Sequence, residues 1–425
     1  MRKRCYRSTT VKQVKISGVL EQLAPGRVTV GLDVGKTEIF CVLRDATGHF
    51  ERPWKAKNPS EIPLLVEQLQ TLSGERELVV AMESTGTYGD ALRQALSDAH
   101  LAIHRVSGKA SKDYAEIFDG VPSAHDGKDA AVIAELVAIG KSTPWPTTEK
   151  PEEASELHAT VLWLDTQQKI LQQWLGRLEA LMARHWPEVT RLLKLRSGTL
   201  LRTLAHYGGP AALVADDQAA TQLAKWGRHY LKQTKIEAVI ESARQTVGVR
   251  LDEPTAEFIQ RCAKAALAAR SEIRQAQRTL VDLTKNDPIV QAQAPAIGIT
   301  AACVARTMLG DPRDFHCGEA YRKAMGLNLK ERSSGRHQGQ LKLTKRGPGI
   351  VRRWLYLAAL RLLQQSPVRR WYEAKKKRDG RGQRAVVAVM RKLALAMHAV
   401  VTRNEPFDLA RLFPGKPRPV TANPA

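Results

Sequence analysis

The stretch Val28–Thr37, VTVGLDVGKT, decides the fold of the N-terminal half. Its apolar and β-branched residues lead into Gly31 and Asp33, a pattern typical of a short buried strand that carries one carboxylate at its end. A buried carboxylate without a partner is costly, so an acid at this place usually manages a cation or a proton. The stretch imitates a phosphate-binding P-loop, but only three residues separate Gly31 from Gly35, where that motif has about four. We therefore predict a strand and not a P-loop.

Strand and helix patterns alternate after this stretch. Strands are predicted at 28–33, 38–44 and 49–55, followed by helices at 59–72, 88–99 and 109–118 that alternate with strands at 77–82 and 101–106. The order βββαβαβα is that of the ribonuclease-H-like fold, a mixed sheet flanked by helices. The fold class predicted for this half is therefore α/β.

Four acidic residues stand at the ends of these predicted elements. Asp33 and Glu83 end two strands that the fold places side by side, and Asp126 and Asp129 share one face at the start of a helix. Each acid alone has a structural explanation as a helix cap or a turn residue. Together they would repel one another unless divalent cations neutralised them, and oxygen ligands suit Mg²⁺ or Mn²⁺. The set predicts metal-dependent phosphodiester chemistry on nucleic acid.

Charge is distributed unevenly along the chain. The whole sequence has a formal net charge of +23, yet residues 31–140 hold 11 Lys and Arg against 17 Asp and Glu. Residues 321–400 hold 21 Lys and Arg against 3 Asp and Glu. A concentrated positive field of this kind is typical of a protein that binds a polyphosphate, and we expect nucleic acid as the partner.

The remaining composition argues against several classes of protein. No apolar run approaches the roughly 18 residues of a membrane helix, and the basic N-terminus has no apolar core behind it. The five cysteines are scattered and form no CxxC pair, so neither a disulfide framework nor a zinc site is indicated. These features predict a soluble protein of a reducing cytoplasm with no membrane partner.

Two long apolar repeats occupy the middle of the chain. From Leu157 to His185, and again from Ile259 to Leu283, apolar residues recur at alternating spacings of three and four. This pattern predicts the two arms of an antiparallel coiled coil, or arms that pair with another subunit. Residues 193–251 between them contain glycines and amphipathic segments, which predicts an inserted helical subdomain whose role the sequence does not reveal.

The C-terminal half contains a basic, glycine-rich segment, residues 324–349. Adjacent hydroxyls at Ser333 and Ser334 precede Gly335 within it. The composition allows a plain basic loop, and it also allows a nucleophilic serine among cations that would bind the phosphate it attacks. The candidate nucleic-acid-binding cations of this segment and the helix after it are Arg332, Arg336, Lys345, Arg346, Arg352 and Arg353.

Several motifs resemble those of the IS110 family of insertion-sequence transposases, including its IS1111 branch. In the N-terminal half these motifs are GLDVGK with Asp33, AMESTGTYG with Glu83, and HDGKDAAVIAEL with Asp126 and Asp129. In the C-terminal half they are PAIGITAA, GLNLKERSSG, KLTKRGPGIVRRWL and VAVMRKLALAMHAVV. The resemblance covers most of the chain.

The resemblance implies a DNA recombinase with a RuvC-like, ribonuclease-H-like domain of the DEDD type and a separate serine transposase domain. The four acids would hold Mg²⁺, and a serine would attack the DNA phosphate to form a covalent phosphoserine link. Alignment on GLNLKERSSG makes that serine Ser334, with Ser333 as the alternative. The family further implies guidance by a structured non-coding RNA and a dimer or tetramer whose active sites combine two subunits.

The sequence also predicts the domain limits. We expect a basic flexible arm at 1–27, the RuvC-like domain at 28–145, coiled-coil arms at 151–288, a mainly helical transposase domain at 289–412 and a disordered tail at 413–425. Two other functions fit the same residues. One is a RuvC-like junction endonuclease in which metal-activated water is the nucleophile, and the other is a non-catalytic nucleic-acid-binding protein.

Overall fold

The structure, a computed structural model, describes residues 7–84, 86–121, 125–145, 147, 151–331 and 341–414. The chain divides into two compact units, Met1–Glu149 and Lys150–Ala425. The first is a mixed α/β structure and the second is mainly helical. The α/β class predicted for the N-terminal half is therefore confirmed, and so is the helical character of the C-terminal part.

A mixed sheet forms the centre of the first unit. Its described strands are β1 (Thr9–Thr10), β2 (Val28–Val34), β3 (Glu38–Arg44), β4 (Trp54–Lys57), β5 (Leu78–Glu83), β6 (Ala102–Val106) and β7 (Ser142–Pro144). Their order across the sheet is β1-β4-β3-β2-β5-β6-β7. Strands β2, β3 and β4 form an antiparallel meander, whereas β5 pairs in parallel with β2, and β6 in parallel with β5. The middle strands are apolar along most of their length because both of their faces are covered.

Five α-helices accompany this sheet within the described residues. They are α1 (Ile16–Gln22), α2 (Ile62–Glu75), α3 (Asp90–Asp98), α4 (Gly108–Asp119) and α5 (Asp126–Ala138). Helix α2 buries Leu65, Leu69 and Leu72, whose spacing of three and four places them on one face. Helix α5 is almost wholly buried, and its apolar residues continue the cores that cover β2, β3 and β5.

The N-terminal arm is shorter than the sequence predicts. Strand β1, a 3-10 helix at Val11–Gln13 and helix α1 occupy most of residues 9–22. The side chains of Val11, Val19 and Leu23 are buried in the core of the sheet. The prediction of a flexible arm over 1–27 is therefore wrong for this stretch, because a few apolar residues gain enough from burial to order it without any periodic pattern. Residues 1–6 lie outside the described part.

The third strand is also displaced from its predicted position at 49–55. Strand β4 begins only at Trp54, and Phe50 makes a single bridge to Arg44. The carboxylate of Asp45 accepts hydrogen bonds from the backbone N–H groups of Thr47 and His49, so the turn after β3 extends to His49, the first residue of the predicted strand. Pro53 then has no N–H to donate to a neighbouring strand.

Two long helices and a group of short ones form the first part of the second unit. They are α6 (Glu152–His185), α7 (Val189–Leu192), α8 (Gly198–Tyr207), α9 (Pro210–Ala215), α10 (Ala219–Gly227), α11 (Gln233–Arg244) and α12 (Glu253–Leu283), with a 3-10 helix at Arg228–Tyr230. Helices α6 and α12 lie along one another, and the small buried residues Ala266, Ala269 and Ala276 of α12 allow a close approach. The short helices close around their own apolar core.

The remainder of the second unit is a helical core with one small hairpin. Its helices are α13 (Pro288–Ile297), α14 (Ile299–Leu309), α15 (Gly318–Ala324), α16 (Gly349–Leu362), α17 (Ser366–Asp379), α18 (Gly382–Thr402) and α19 (Leu409–Leu412), with a 3-10 helix at Pro312–Asp314. Strands β8 (Leu329–Lys330) and β9 (Lys342–Leu343) pair in antiparallel fashion. Residues 332–340, between these two strands along the chain, lie outside the described part.

Helix α18 comes closer to a membrane span than the sequence analysis expects. Within the described ranges it alone is long and apolar enough to cross a bilayer. Its residues Val389, Leu393 and Met397 are buried in the helical core of the unit, and the core helix of a water-soluble protein passes the same test. The predicted tail also starts too early, because Phe413 is 2% exposed and packs edge-to-face on Trp371. Residues 415–425 of that tail lie outside the described part.

Candidate active site

The ends of two neighbouring strands carry the first two predicted acids. Asp33 is the penultimate residue of β2, and Glu83 is the last residue of β5. The strands run in parallel with Leu32 opposite Met82, so the next position in each strand sets Asp33 beside Glu83. Residues that oppose one another in a sheet project to the same face, which brings these two carboxylates to one edge and one side.

Gly31 brings helix α5 onto that same face. A Cβ atom at Gly31 would lie 1.9 Å from the backbone oxygen of Ala130 and 2.5 Å from the backbone nitrogen of Ala134. No side chain fits there, and the backbone of α5 therefore packs directly on β2. Because side chains alternate along a strand, Asp33 projects to the same side as Gly31, the side on which α5 lies.

The first turn of α5 supplies the other two acids, Asp126 and Asp129. The ring nitrogen Nδ1 of His125 accepts a hydrogen bond of 3.1 Å from the backbone N–H of Gly127 and so caps the helix. Carboxylate oxygens of Asp33, Asp126 and Asp129 lie within 4.8 Å of one another. The structure thus brings these three predicted residues together, with Glu83 bordering the group.

The pKa values of the acids record how close they are. Burial, followed by the charges of Asp129, Asp126 and Glu83, raises the pKa of Asp33 to about 6. Burial also raises the pKa of Asp129, and Asp126 and Glu83 add to the effect. Like charges held together in a partly buried site disfavour the ionised form. Ionised carboxylates in this cluster therefore repel one another at neutral pH.

A buried ion pair that sequence reasoning missed fixes the start of α5. Lys128 is fully buried between the two aspartates in sequence, and its Nζ donates to the Oδ1 of Asp119 at 2.7 Å and to the backbone oxygen of Val121 at 2.6 Å. The Asp119 side chain is only 5% exposed. This pair ties the first turn of α5 to the end of α4. The signal in the sequence is a lysine in the first turn of a helix whose later residues are almost all apolar.

A divalent cation fits the donor set. Oxygen ligands lie about 2.0–2.6 Å from Mg²⁺ or Ca²⁺, so two ligands on opposite sides of an ion are roughly 4–5 Å apart. The aspartate oxygens meet this spacing, and all of them are the hard carboxylate donors that such ions prefer. Lys128 is committed to Asp119, so its ammonium group is not directed at the cluster. The cluster is therefore compatible with use of a divalent metal.

The predicted cations of the second unit have different environments. Lys345 and Arg346 are exposed. Arg352 donates to the backbone oxygens of Met325 at 3.1 Å and Gly347 at 2.8 Å, which is a structural contact.

Arg353, the neighbour of Arg352, forms an ion pair within the second unit. Its partner is Asp165 of α6, whose side chain is 12% exposed, and Lys169 pairs with the same carboxylate. The pair joins α16 to α6. These contacts favour a structural role for Arg352 and Arg353.

The predicted nucleophile is not among the described residues. Ser334, its alternative Ser333 and the cations Arg332 and Arg336 all fall within 332–340. The two strands that precede and follow this segment, β8 and β9, are described and pair with one another.

An acid cluster at a sheet edge, in a chain whose second unit is strongly basic, is typical of proteins that act on nucleic acid. Comparison with known families defines the protein further. The DEDD transposase model of the IS110 family matches residues 30–187, and the model described as "Transposase IS116/IS110/IS902 family" matches residues 292–373. Together they span more than half of the chain, which belongs to the IS110 family of transposases. The resemblance predicted from the motifs is confirmed at this level, and DNA is the partner that such a family implies.

Other comparisons add little. Among solved structures, the chain is similar to "T. thermophilus RuvC in complex with Holliday junction substrate", with 14% sequence identity and a TM-score of 0.23. That similarity covers 28% of this chain and 99% of the RuvC chain. No curated protein matches the sequence.

Proposed function

We propose that this transposase cleaves and rejoins DNA with an acid-bound metal centre in its first unit. The observation that carries the proposal is the convergence of Asp33, Asp126 and Asp129 within 4.8 Å, with Glu83 close enough to raise the pKa of Asp33. These four residues would hold Mg²⁺, with Mn²⁺ as a substitute. Divalent ions bound there would polarise a phosphodiester and neutralise charge that develops on its oxygens.

The strand arrangement supports a ribonuclease-H-like, RuvC-like assignment of the first unit. The antiparallel meander β4-β3-β2 is extended by the parallel strands β5 and β6, with one helix after β4 and another after β5. This is the strand order expected of that fold from the predicted βββαβαβα pattern. In this fold the first and the fourth strands of the predicted pattern lie side by side. They are β2 and β5 here, and their pairing places Asp33 beside Glu83.

The covalent step is proposed for the second unit. The resemblance of GLNLKERSSG to its counterpart in the family supports Ser334 as the nucleophile, with Ser333 as the alternative. The serine oxygen would bond to phosphorus while the bond from phosphorus to the leaving DNA oxygen breaks. The same resemblance supports guidance by a structured RNA, and active sites that combine the acids of one subunit with the serine of another in a dimer or tetramer.

The test is capture of the protein–DNA adduct. The protein is incubated with Mg²⁺, DNA carrying the element ends and the target, and RNA transcribed from the flanks of the gene, then denatured and resolved by size. We expect an adduct that disappears in Asp33→Asn and Ser334→Ala but persists in Ser333→Ala, the matched control. Persistence in Ser334→Ala with loss in Ser333→Ala would transfer the role to the neighbouring serine. An adduct that survives both changes would refute the covalent serine mechanism.

A metal-dependent endonuclease is the second candidate. The acid cluster lies wholly within the first unit, so all of its oxygen donors come from a single folded body. In this case water attacks the phosphate, and strand cutting continues in a variant with alanine at both Ser333 and Ser334. Binding without cleavage that is unchanged in Asp33→Asn would instead indicate a non-catalytic nucleic-acid-binding protein.

A further inference from the structure

A groove with a basic lining runs beside the small hairpin of the second unit. One side is formed by β8, β9 and the residues just after β9, and the other by the end of α17 and the first half of α18. Its volume is about 930 Å³. We call this feature the hairpin groove. Its size is that of a site for an extended ligand and not for a single ion.

Positive charge dominates the lining. Three lysines contribute from the hairpin side, and three arginines contribute from α18 and the residue before it: Lys330, Lys342, Lys345, Arg381, Arg384 and Arg391. This density of like charge is unfavourable for folding on its own and is typical of a surface that meets a polyanion.

The single described carboxylate in the lining does not offset this charge. Asp379 pairs with Lys375 at 2.8 Å and with Arg378 at 3.2 Å, both on its own helix α17. Hydrogen bonds from Lys375 in particular hold the pKa of Asp379 below its usual value. The charge of Asp379 is therefore already matched by these two cations of its own helix.

Arg391 is less exposed than the other arginines of the lining. Its Nε atom is buried and has no hydrogen-bond partner among the described residues. Burial, with Arg322 nearby, lowers the pKa of Arg391, which means that its charged form is held at a cost. An anion in the groove would offer this Nε–H group an acceptor and would offset the unfavourable environment of the charge.

The apolar part of the lining indicates which part of a nucleic acid the groove contacts. Leu329, Leu343 and Val387 line it, and the described lining contains no aromatic ring on which a base could stack. Proteins that hold exposed bases usually stack them on aromatic side chains, whereas sequence-independent contact uses cations on phosphates. The groove is therefore suited to a sugar-phosphate backbone.

We propose that the hairpin groove binds the phosphate backbone of a DNA strand through Lys342 and Arg381, which are exposed on its two sides, and through Arg391 of α18. The choice of DNA rests on the proposed function, because β8 and β9 flank along the chain the segment that carries Ser334.

The experiment measures binding without catalysis. Fluorescence anisotropy gives the affinity for a labelled DNA duplex in EDTA across a salt series, for the wild type and for the double variant Lys342→Gln/Arg381→Gln. Both residues are exposed, so the fold should tolerate the change. Arg403→Gln is the matched control, since Arg403 is an exposed arginine directly after the far end of α18 and outside the groove.

Counterion release sets the expected size of the effect. Each phosphate contact contributes close to 0.9 to the slope of log affinity against log salt, so at 0.1 M salt one contact is worth about 8-fold and two are worth roughly 60-fold. We expect the double variant to bind DNA about 60-fold more weakly than the wild type, and its slope of log affinity against log salt to be smaller by about 2. The affinity and the slope of Arg403→Gln should stay close to those of the wild type. Arg381→Lys should restore most of the slope that Arg381→Gln removes, because the charge returns.

Two results would overturn the proposal. An unchanged salt slope in the double variant would show that the groove does not contact phosphate. If the double variant loses as much affinity for RNA of the same sequence as it loses for DNA, or more, the groove binds RNA. Neither result bears on the metal centre, because the adduct test with Asp33→Asn is scored separately in Mg²⁺.

Discussion

The charge cluster at the end of β2 should make the protein more stable when its central acid is neutralised. In Asp33→Asn the side chain keeps its size but cannot ionise. The pKa of Asp33 is raised from 3.8 to about 6, chiefly by burial and then by Asp129, Asp126 and Glu83. The folded protein therefore holds this proton more tightly than the unfolded chain, and ionising the group costs folding free energy.

The magnitude follows from that difference. One pKa unit corresponds to about 1.4 kcal/mol, so the rise from 3.8 to about 6 gives about 3 kcal/mol as an upper limit. The group is partly exposed, and solvent screening reduces this to about 1–2 kcal/mol. The penalty is absent below pH 4, where both states are protonated, grows as the pH rises and is complete above about pH 6. The folded state therefore loses the stability that protonated Asp33 gives it as the pH rises.

Differential scanning calorimetry provides the assay. In EDTA at pH 7.5 we expect Asp33→Asn to raise the midpoint temperature of unfolding of the first unit by roughly 3–6 °C. At pH 4.5 we expect a much smaller rise. Adding millimolar Mg²⁺ should stabilise the wild type more than the variant, since the variant lacks a ligand. Asp98→Asn, an exposed aspartate of the same unit, should change neither midpoint. A variant that is less stable than the wild type in EDTA at pH 7.5, or whose gain is the same at both pH values, would refute the reasoning.

Three further substitutions separate buried from exposed interactions. Lys128→Met removes the ammonium partner of the buried Asp119 carboxylate, which keeps the hydrogen bond that it accepts from the backbone N–H of Val121. We expect calorimetry to show a loss of about 3–5 kcal/mol in the free energy of unfolding, and a loss under about 1 kcal/mol would be inconsistent with the buried pair. Arg353→Ala removes a partly exposed ion pair, so chemical denaturation should show a loss of about 1 kcal/mol or less. Gly31→Ala forces α5 away from β2, and we expect a loss of about 2–4 kcal/mol in the free energy of unfolding. We also expect Mg²⁺ to raise the midpoint temperature of this variant less than that of the wild type. A wild-type response to Mg²⁺ would show that the contact with Ala130 does not position the acids.

Local pattern was sufficient for most of the first unit. Strand β3 occupies Glu38–Arg44, the range that was predicted for it, and strands β2, β5 and β6 begin and end within one residue of their predicted ranges. These strands are buried and apolar, so their period and their turn residues carry the information. The four acids could be predicted for the same reason, since each stands at the end of a recognisable element.

The failures involve interactions between distant parts of the chain. Asp45 holds its turn partly by accepting a hydrogen bond from the backbone of Ala24, 21 residues earlier, and no window of sequence around residues 49–55 contains that contact. Val11, Val19 and Leu23 are buried in an N-terminal arm that has no regular apolar period, and Phe413 is a buried apolar residue in a tail that otherwise reads as polar. Pattern analysis detects regularly spaced burial and misses isolated anchors, because isolated apolar residues have no period.

The glycine in the opening stretch shows how sequence, packing and chemistry are joined. In the sequence Gly31 resembles the first glycine of a P-loop, yet a glycine inside a buried strand also indicates close approach by another backbone. That approach is the contact with Ala130 of α5, which lies one residue beyond Asp129. Since alternate residues of β2 face the same side, the position that admits the helix also orients Asp33, two residues on, toward the first turn of that helix. The absence of a side chain at Gly31 therefore sets the spacing of the acid cluster, and the motif serves to pack α5 against β2 and does not cradle a phosphate.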